Sequence, residues 1–380
     1  MYAVGRFTQV KKGSATVTRN NVFSFSATNG TITSWNPNVN GQVDTIVLSS
    51  NCATAYLGGT FTSIAGTAVK NIAAVSTSGT GAVVSTFAHS AAGRVATLAI
   101  SGSHLLAGGY FTGVNNSTKK YMVSLSLTTG RDDNYLPDLG ISGNYPGNGN
   151  ATRIYNQQLS HDGTRDLVEG DFLTVGGHAL RQAFILNLGT APTVSNWKSN
   201  DFDRDCAAVE PFYVQDGAWS PDDSRVYFPT TGYKPATGLG SRTTDVRSGP
   251  CDAALAFTTT PAAQSALWIN YTGCDSLFSA EADGTTAYFG GHERWSSNPN
   301  GCDGLKSPGI VAPGMEGLNP LTGALTYNPT RGRGLGADDM LITSAGLWIA
   351  SDNQANTANC GKTAAGKPAY GHVGLCLLPY

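Results

Sequence analysis

Charged side chains are scarce in this sequence. Asp, Glu, Lys and Arg make up 13% of its 380 residues and leave a net charge of −2, which excludes the basic footprint that nucleic acid or an anionic membrane requires. No apolar run is long enough to span a bilayer, and no basic segment with an apolar core opens the chain, so neither a spanning helix nor a signal peptide is read at Met1. Long amphipathic patterns of helical period are also missing. So are the local catalytic signatures: there is no G-x-S-x-G, no H-E-x-x-H, no P-loop and no dinucleotide fingerprint. The seven cysteines include no C-x-x-C or comparable zinc spacing. In a chain poor in Lys and rich in Ser, Thr and Asn, that usage points to an oxidising, secreted setting. Secretion without a leader implies a processed chain or part of a longer one.

What the sequence does have is glycine, 47 residues of it, and repetition. The stretch 287–295 (AYFGGHERW) has counterparts at 1–8 (MYAVGRFT), 55–62 (AYLGGTFT), 105–112 (LLAGGYFT) and 166–172 (DLVEGDF). Aligned on their strand residues, seven copies fall at Tyr2, Tyr56, Leu106, Leu167, Tyr227, Tyr288 and Trp348, the spacing of a long propeller blade. A short apolar strand and a polar hairpin turn precede each later copy, as at 160–165 (SHDGTR), 220–224 (SPDDS) and 281–285 (EADGT). A third strand follows (71–76, 121–127, 183–188), then a fourth ending in an aromatic residue, as in 32–37 (ITSWNP) and 325–329 (LTYNP). This predicts an all-β, seven-bladed β-propeller of four-stranded antiparallel blades, filling residues 1–380 as a single domain. The chain enters at the second strand of the first blade and closes on 373–380 as the third strand of the seventh. The first blade therefore lacks its innermost strand within this chain, and an upstream segment or a protein partner is expected to supply it.

The GG-x-FT strands and TG turns, with 291–295 (GHERW), 316–323 (EGLNPLTG), 328–334 (NPTRGRG) and 346–352 (GLWIASD), resemble secreted bacterial β-propellers of the GGxFT-repeat type. Actinobacterial members are the nearest likeness, and kelch-like repeats a more distant one. The resemblance covers essentially the whole chain. It implies the fold and an adhesive, lectin-like or accessory module of a larger secreted protein, with no single activity attached.

Within that frame the long loops gather on one side: 137–152, 198–214, 230–250, 269–276, 292–307, 330–339 and 352–370. Cys206 and Cys251 lie on neighbouring loops there, as do Cys274 and Cys302, and both pairs are expected to be disulfides; Cys52, Cys360 and Cys376 stay unassigned. Only the 287–295 copy carries His292, Glu293, Arg294 and Trp295 in place of a plain Phe-Thr. His292, Arg294 and Trp295, with Asp275, Arg331, Arg333 and Asp352, make a candidate ligand site, Arg as a fork for carboxylate or hydroxyl and Trp as a platform for a sugar ring. The alternative is that Arg294 and His292 satisfy carboxylates or carbonyls between blades while Trp295 packs on the long loop. Asp201, Asp203 and Asp205 are candidates for calcium or for acid–base chemistry, and Glu169 and Asp171 for the latter. Otherwise no cofactor is expected. The leading function is lectin-like recognition of a carbohydrate or cell-surface ligand. A polysaccharide lyase or glycoside hydrolase is second, and an adhesive module completed by a partner's strand is third.

Overall fold

The structure is a computed structural model describing residues 1–145, 151–203, 206, 212–232, 249–329, 331, 336–351, 360–362, 370–372 and 374–379. Every regular element among them is a β-strand, and none is a helix able to cross a membrane. The chain forms two compact units, one built from Met1–Ile141, Thr152–Leu159 and Leu188–Thr193, the other from Ser142–Ala151, Ser160–Asn187 and Val194–Tyr380.

In the first unit Tyr2–Val4 pairs antiparallel with Val22–Ser24. Two antiparallel meanders follow: Gln42–Leu48, Thr54–Thr60 and Ile72–Ser76, then Val95–Ser101, His104–Gly109 and Met122–Ser126. Arg153–Leu159 docks on the last of these, with Gln157 Nε2 donating to the Leu106 carbonyl at 3.1 Å. The second unit opens with Arg165–Asp171 paired to Ala183–Asn187. It continues with two four-stranded meanders, Ala218–Trp219, Arg225–Pro229, Ala253–Thr258 and Trp268–Tyr271, then Leu277–Ala282, Ala287–Gly291, Glu316–Leu318 and Leu325–Tyr327. In the final sheet Ala337–Thr343, Gly346–Ser351 and Leu375–Pro379 are joined by Tyr370–His372, which precedes its neighbour in the chain yet takes the outer position.

Two close approaches explain the recurring double glycine. Opposite Gly58–Gly59, Gly108–Gly109 and Gly290–Gly291 the first strand of each sheet carries a register shift, between Val43 and Thr45, Val95 and Thr97, and Leu277 and Ser279. Such a bulge brings its backbone against the partner strand. A Cβ on Gly59, Gly109 or Gly291 would lie 2.2–2.3 Å from the carbonyl oxygen of Gln42, Arg94 or Ser276. The first glycine of each pair meets the next sheet: a Cβ on Gly58 would meet Val95, on Gly108 Ile154, and on Gly290 Ala337 at 2.3 Å. Where Glu169 stands in place of that glycine, the facing residue is Gly217, so the small and large partners are exchanged. Gly291→Ala is accordingly expected to destabilise by roughly 1–3 kcal/mol, read by denaturant unfolding.

The phenylalanine that follows is core: Phe61, Phe111 and Phe172 are at most 1% exposed, each contributing about 2–3 kcal/mol of burial. The backbone around it is held by residues of positive φ, Asn71, Tyr121 and Gln182, whose N–H groups donate to the carbonyls of Phe61, Phe111 and Phe172.

Candidate functional site

The decorated copy places Glu293 where three other copies place that buried phenylalanine, and Glu293 is equally buried, at 0% exposure. Glu316, paired with Phe289 on the adjoining strand, occupies the apolar place held by Ala73 beside Leu57 and Phe184 beside Val168. Arg331 is enclosed with them at 1% exposure, and its Nη2 donates to Ser351 Oγ at 2.7 Å. Burial, reinforced by the nearby Glu316 carboxyl, holds Glu293 well above the usual carboxylate range. Burial pushes Glu316 up to about 8, and lowers Arg331 to about 10 against the opposing attraction of Glu293. Two protonatable acids and a guanidinium thus replace apolar core in this one sheet. Sequence reading noted the substitution at Glu293 but missed Glu316, whose signal was a glutamate at a core-facing strand position.

Above this cluster the loop 292–312 folds back as a ribbon, Trp295–Ser296 against Ile310–Val311. Arg294 anchors it: Nε and Nη2 reach the two Asp275 carboxylate oxygens at 2.6 and 2.9 Å, its backbone N–H adds a third bond to Asp275 Oδ2 at 3.1 Å, and Nη2 meets Asp303 at 3.2 Å. The Cys274–Cys302 disulfide closes the same loop. Asn298, at 0% exposure, holds its interior by accepting from Lys306 N at 3.0 Å and donating its own backbone N–H to the Tyr271 carbonyl at 2.7 Å. The loop is therefore a rigid projection.

Several of the candidate ligand residues have partners within the protein, as the alternative reading expects. Trp295 is only 9% exposed, with the Arg294 guanidinium lying 4.1 Å from its ring centroid, so the ring belongs to the loop's own packing and offers no open stacking face. Arg294 and Asp275 do come together, but as each other's partners. The His292 ring sits edge-on to Phe278, 5.1 Å between centroids, with Gly336 packed against it. Arg331 is sealed inside rather than aimed at a ligand. Arg333 and Asp352 lie outside the described residues. Beside the exposed Asp303, Lys306 and Ser307, the loop also presents three aliphatic side chains outward: Leu305, Ile310 and Val311 are 45%, 46% and 55% exposed.

In the acidic loop the two described carboxylates have separate partners. Asp201 is buried and accepts from Ala266 N at 2.7 Å, whereas Asp203 pairs with Arg181 at 3.2 Å; Asp205 lies outside the described residues. No set of three potential metal ligands gathers among the described residues. Asp171 accepts the Tyr145 N–H at 2.6 Å, and Glu169 is fully buried against Gly217. A further carboxylate set went unread: Asp216 Oδ2 accepts from Ala280 N at 2.8 Å and Glu281 Oε1 from Ile342 N at 3.0 Å, each tying the first strand of one sheet to the next. Burial, with like charge from Asp339, pushes Asp216 up to about 8 and Glu281 up to about 7.

Solved structures align along the whole of this architecture. A 6-phosphogluconolactonase-like protein of Bacteroides uniformis superimposes with a TM-score of 0.55 at 14% identity, covering 100% of this chain and 96% of its own. A second, from Bacteroides fragilis, gives 0.50 at 14% identity over 92% and 87%. The fold they share is β-propeller-like. The extracellular domain of a one-component-system protein of B. thetaiotaomicron aligns with a TM-score of 0.46 at 12% identity, over 100% of this chain and 38% of that one. No protein-family model and no curated protein matches the chain. At such identities the likeness is one of fold alone.

Cysteine pairing completes the propeller-like framework. Cys206 is bonded to Cys251, and Cys360 to Cys376, a pairing the sequence left open. Cys52 alone is free, and it is exposed. A thiol reagent is expected to titrate one cysteine in the native, unreduced chain, and Cys52→Ser to bring that count to zero.

Proposed function

We propose that the chain is a secreted, non-catalytic recognition module: a seven-bladed β-propeller that engages a cell-surface ligand through the 292–312 loop. The observation that carries this reading is the rigid loop itself. It is clamped by Arg294–Asp275, stapled by Cys274–Cys302, and presents Leu305, Ile310 and Val311 to solvent. A pre-organised loop loses little conformational entropy on binding, and exposed aliphatic side chains favour a partner that buries them. That favours a protein or glycoprotein surface over a free sugar, since the ring expected to stack on one is enclosed. The three disulfides support secretion.

A hydrolase is the second reading. What favours it is the pair Asp216 and Glu281, only partly buried, with proton affinities raised into the neutral range that suits acid–base chemistry. The structural neighbours named as lactonase-like share the fold but supply no residue argument. One experiment separates the two. The purified chain is applied to an array of extracellular proteins and glycans, and in parallel to a panel of lactone, ester and glycoside substrates. Saturable binding without turnover is expected; turnover abolished by Glu281→Gln would overturn the recognition reading.

A further inference from the structure

The first unit carries a separate cavity of about 510 Å³, within the range of small-ligand sites. Three segments wall it: 88–92, 112–117 and the turn ending at Arg131. Asn115, 9% exposed, ties them together. Its Oδ1 accepts from Ser90 N at 2.7 Å, and its Nδ2 donates to the carbonyls of Ala88 and Gly130 at 3.0 and 2.6 Å. Bridges from Lys70 to Ser90 and from Ala91 to Val114 fix the same walls, so the cavity is formed before anything enters it.

Its lining is mixed: Ser90, Thr112, Asn116, Ser117 and Arg131 stand beside Ala88, Ala92, Gly113 and Val114. The His89 ring nitrogens are shielded from solvent, with the Val84 backbone beside the ring, so His89 supports the wall and does not address the cavity's contents. The nearest acid, Asp132, is already paired with Lys119 at 2.9 Å and accepts from Ser117 Oγ at 2.6 Å. The exposed Arg131 guanidinium has no acidic partner among the described residues. One planar fork matches a carboxylate monoanion, whereas a phosphate dianion is better met by several cations.

We infer that this cavity is a binding site for a sugar acid, a hydroxylated ring whose carboxylate is held by Arg131 while Ser90 and Asn116 address its hydroxyl groups. The site is independent of the 292–312 loop.

The test is calorimetric or NMR titration of the full chain with glucuronate, glucose and glucose 6-phosphate, repeated on Arg131→Gln and Asn116→Ala after their melting temperatures are shown to be unchanged. Saturable glucuronate binding is expected, weakened roughly tenfold or more in Arg131→Gln and at least severalfold in Asn116→Ala. Glucose is expected to bind more weakly and to ignore the Arg131 change. Equal glucuronate affinity in wild type and Arg131→Gln, or no saturation by about 20 mM, would overturn the assignment. Tighter binding of glucose 6-phosphate than of glucuronate would overturn the choice of carboxylate.

Discussion

Arg294→Ala is expected to cost about 3 kcal/mol of stability in the second unit, measured by denaturant unfolding. The reason lies in the asymmetry of the pair. The Asp275 side chain is 3% exposed and receives three bonds from Arg294, two from the guanidinium and one from the backbone. Removing the guanidinium strands a buried carboxylate with one of the three, whereas removing both charges does not. The double variant Asp275→Asn with Arg294→Met is therefore expected to lose less than the two single changes together. Arg294→Lys should restore only part of the loss, because an ammonium cannot span both oxygens. Additive losses would mean that the clamp contributes nothing beyond its separate parts.

Stability is also expected to fall as pH rises from about 5 to about 8. The folded chain holds protons on Asp216 up to about 8 and on Glu281 up to about 7, above their ordinary values of 3.8 and 4.5. Between the unfolded and folded values the native state binds more protons than the unfolded one, so each step up in pH favours unfolding. Below about pH 4 both states are protonated and the contribution is fully present; above about pH 8 it is lost. Two features moderate the effect: both side chains are partly solvated, and each accepts a backbone N–H that stabilises its ionised form. The slope is then on the order of 1 kcal/mol per pH unit or less. Asp216, Glu281 and Asp339, with His161 opposing at Glu281, share this slope with the buried Glu316, held up to about 8, and with Glu293, Glu169 and Asp166, all held above the ordinary carboxylate range by burial. Asp216→Asn is expected to flatten the profile of melting temperature between pH 5 and 8. An unchanged slope in that variant would assign the pH dependence elsewhere.

The repeat was legible because its cause is local. A double glycine opposite a bulge is required wherever a first strand crowds a second, and the buried Phe61, Phe111 and Phe172 mark the same place in successive units. Glu293 stood out as a departure from that rule. Its consequences were not legible, because Glu316 and Arg331 are brought to it only by the fold. The sequence left Trp295 open between a stacking platform and packing on its own loop, because whether a loop aromatic is exposed depends on whether the loop returns, and here Ile310–Val311 pairs back onto it. The spacing of Asp201 and Asp203 suggested convergence, but the chain sends one to Ala266 N and the other to Arg181. Three leftover cysteines allowed three pairings, and only the closing sheet, where Cys376 lies on Leu375–Pro379, selects Cys360 as its partner.

The recognition reading rests on the outward face of one loop, and a paired substitution reaches it without touching the clamp beneath. Leu305→Asp with Val311→Asp places charge on two exposed side chains and should leave the melting temperature unchanged. On the array of extracellular proteins and glycans, the wild-type chain is predicted to bind a ligand that this variant loses. Binding retained in full by the variant would contradict the account.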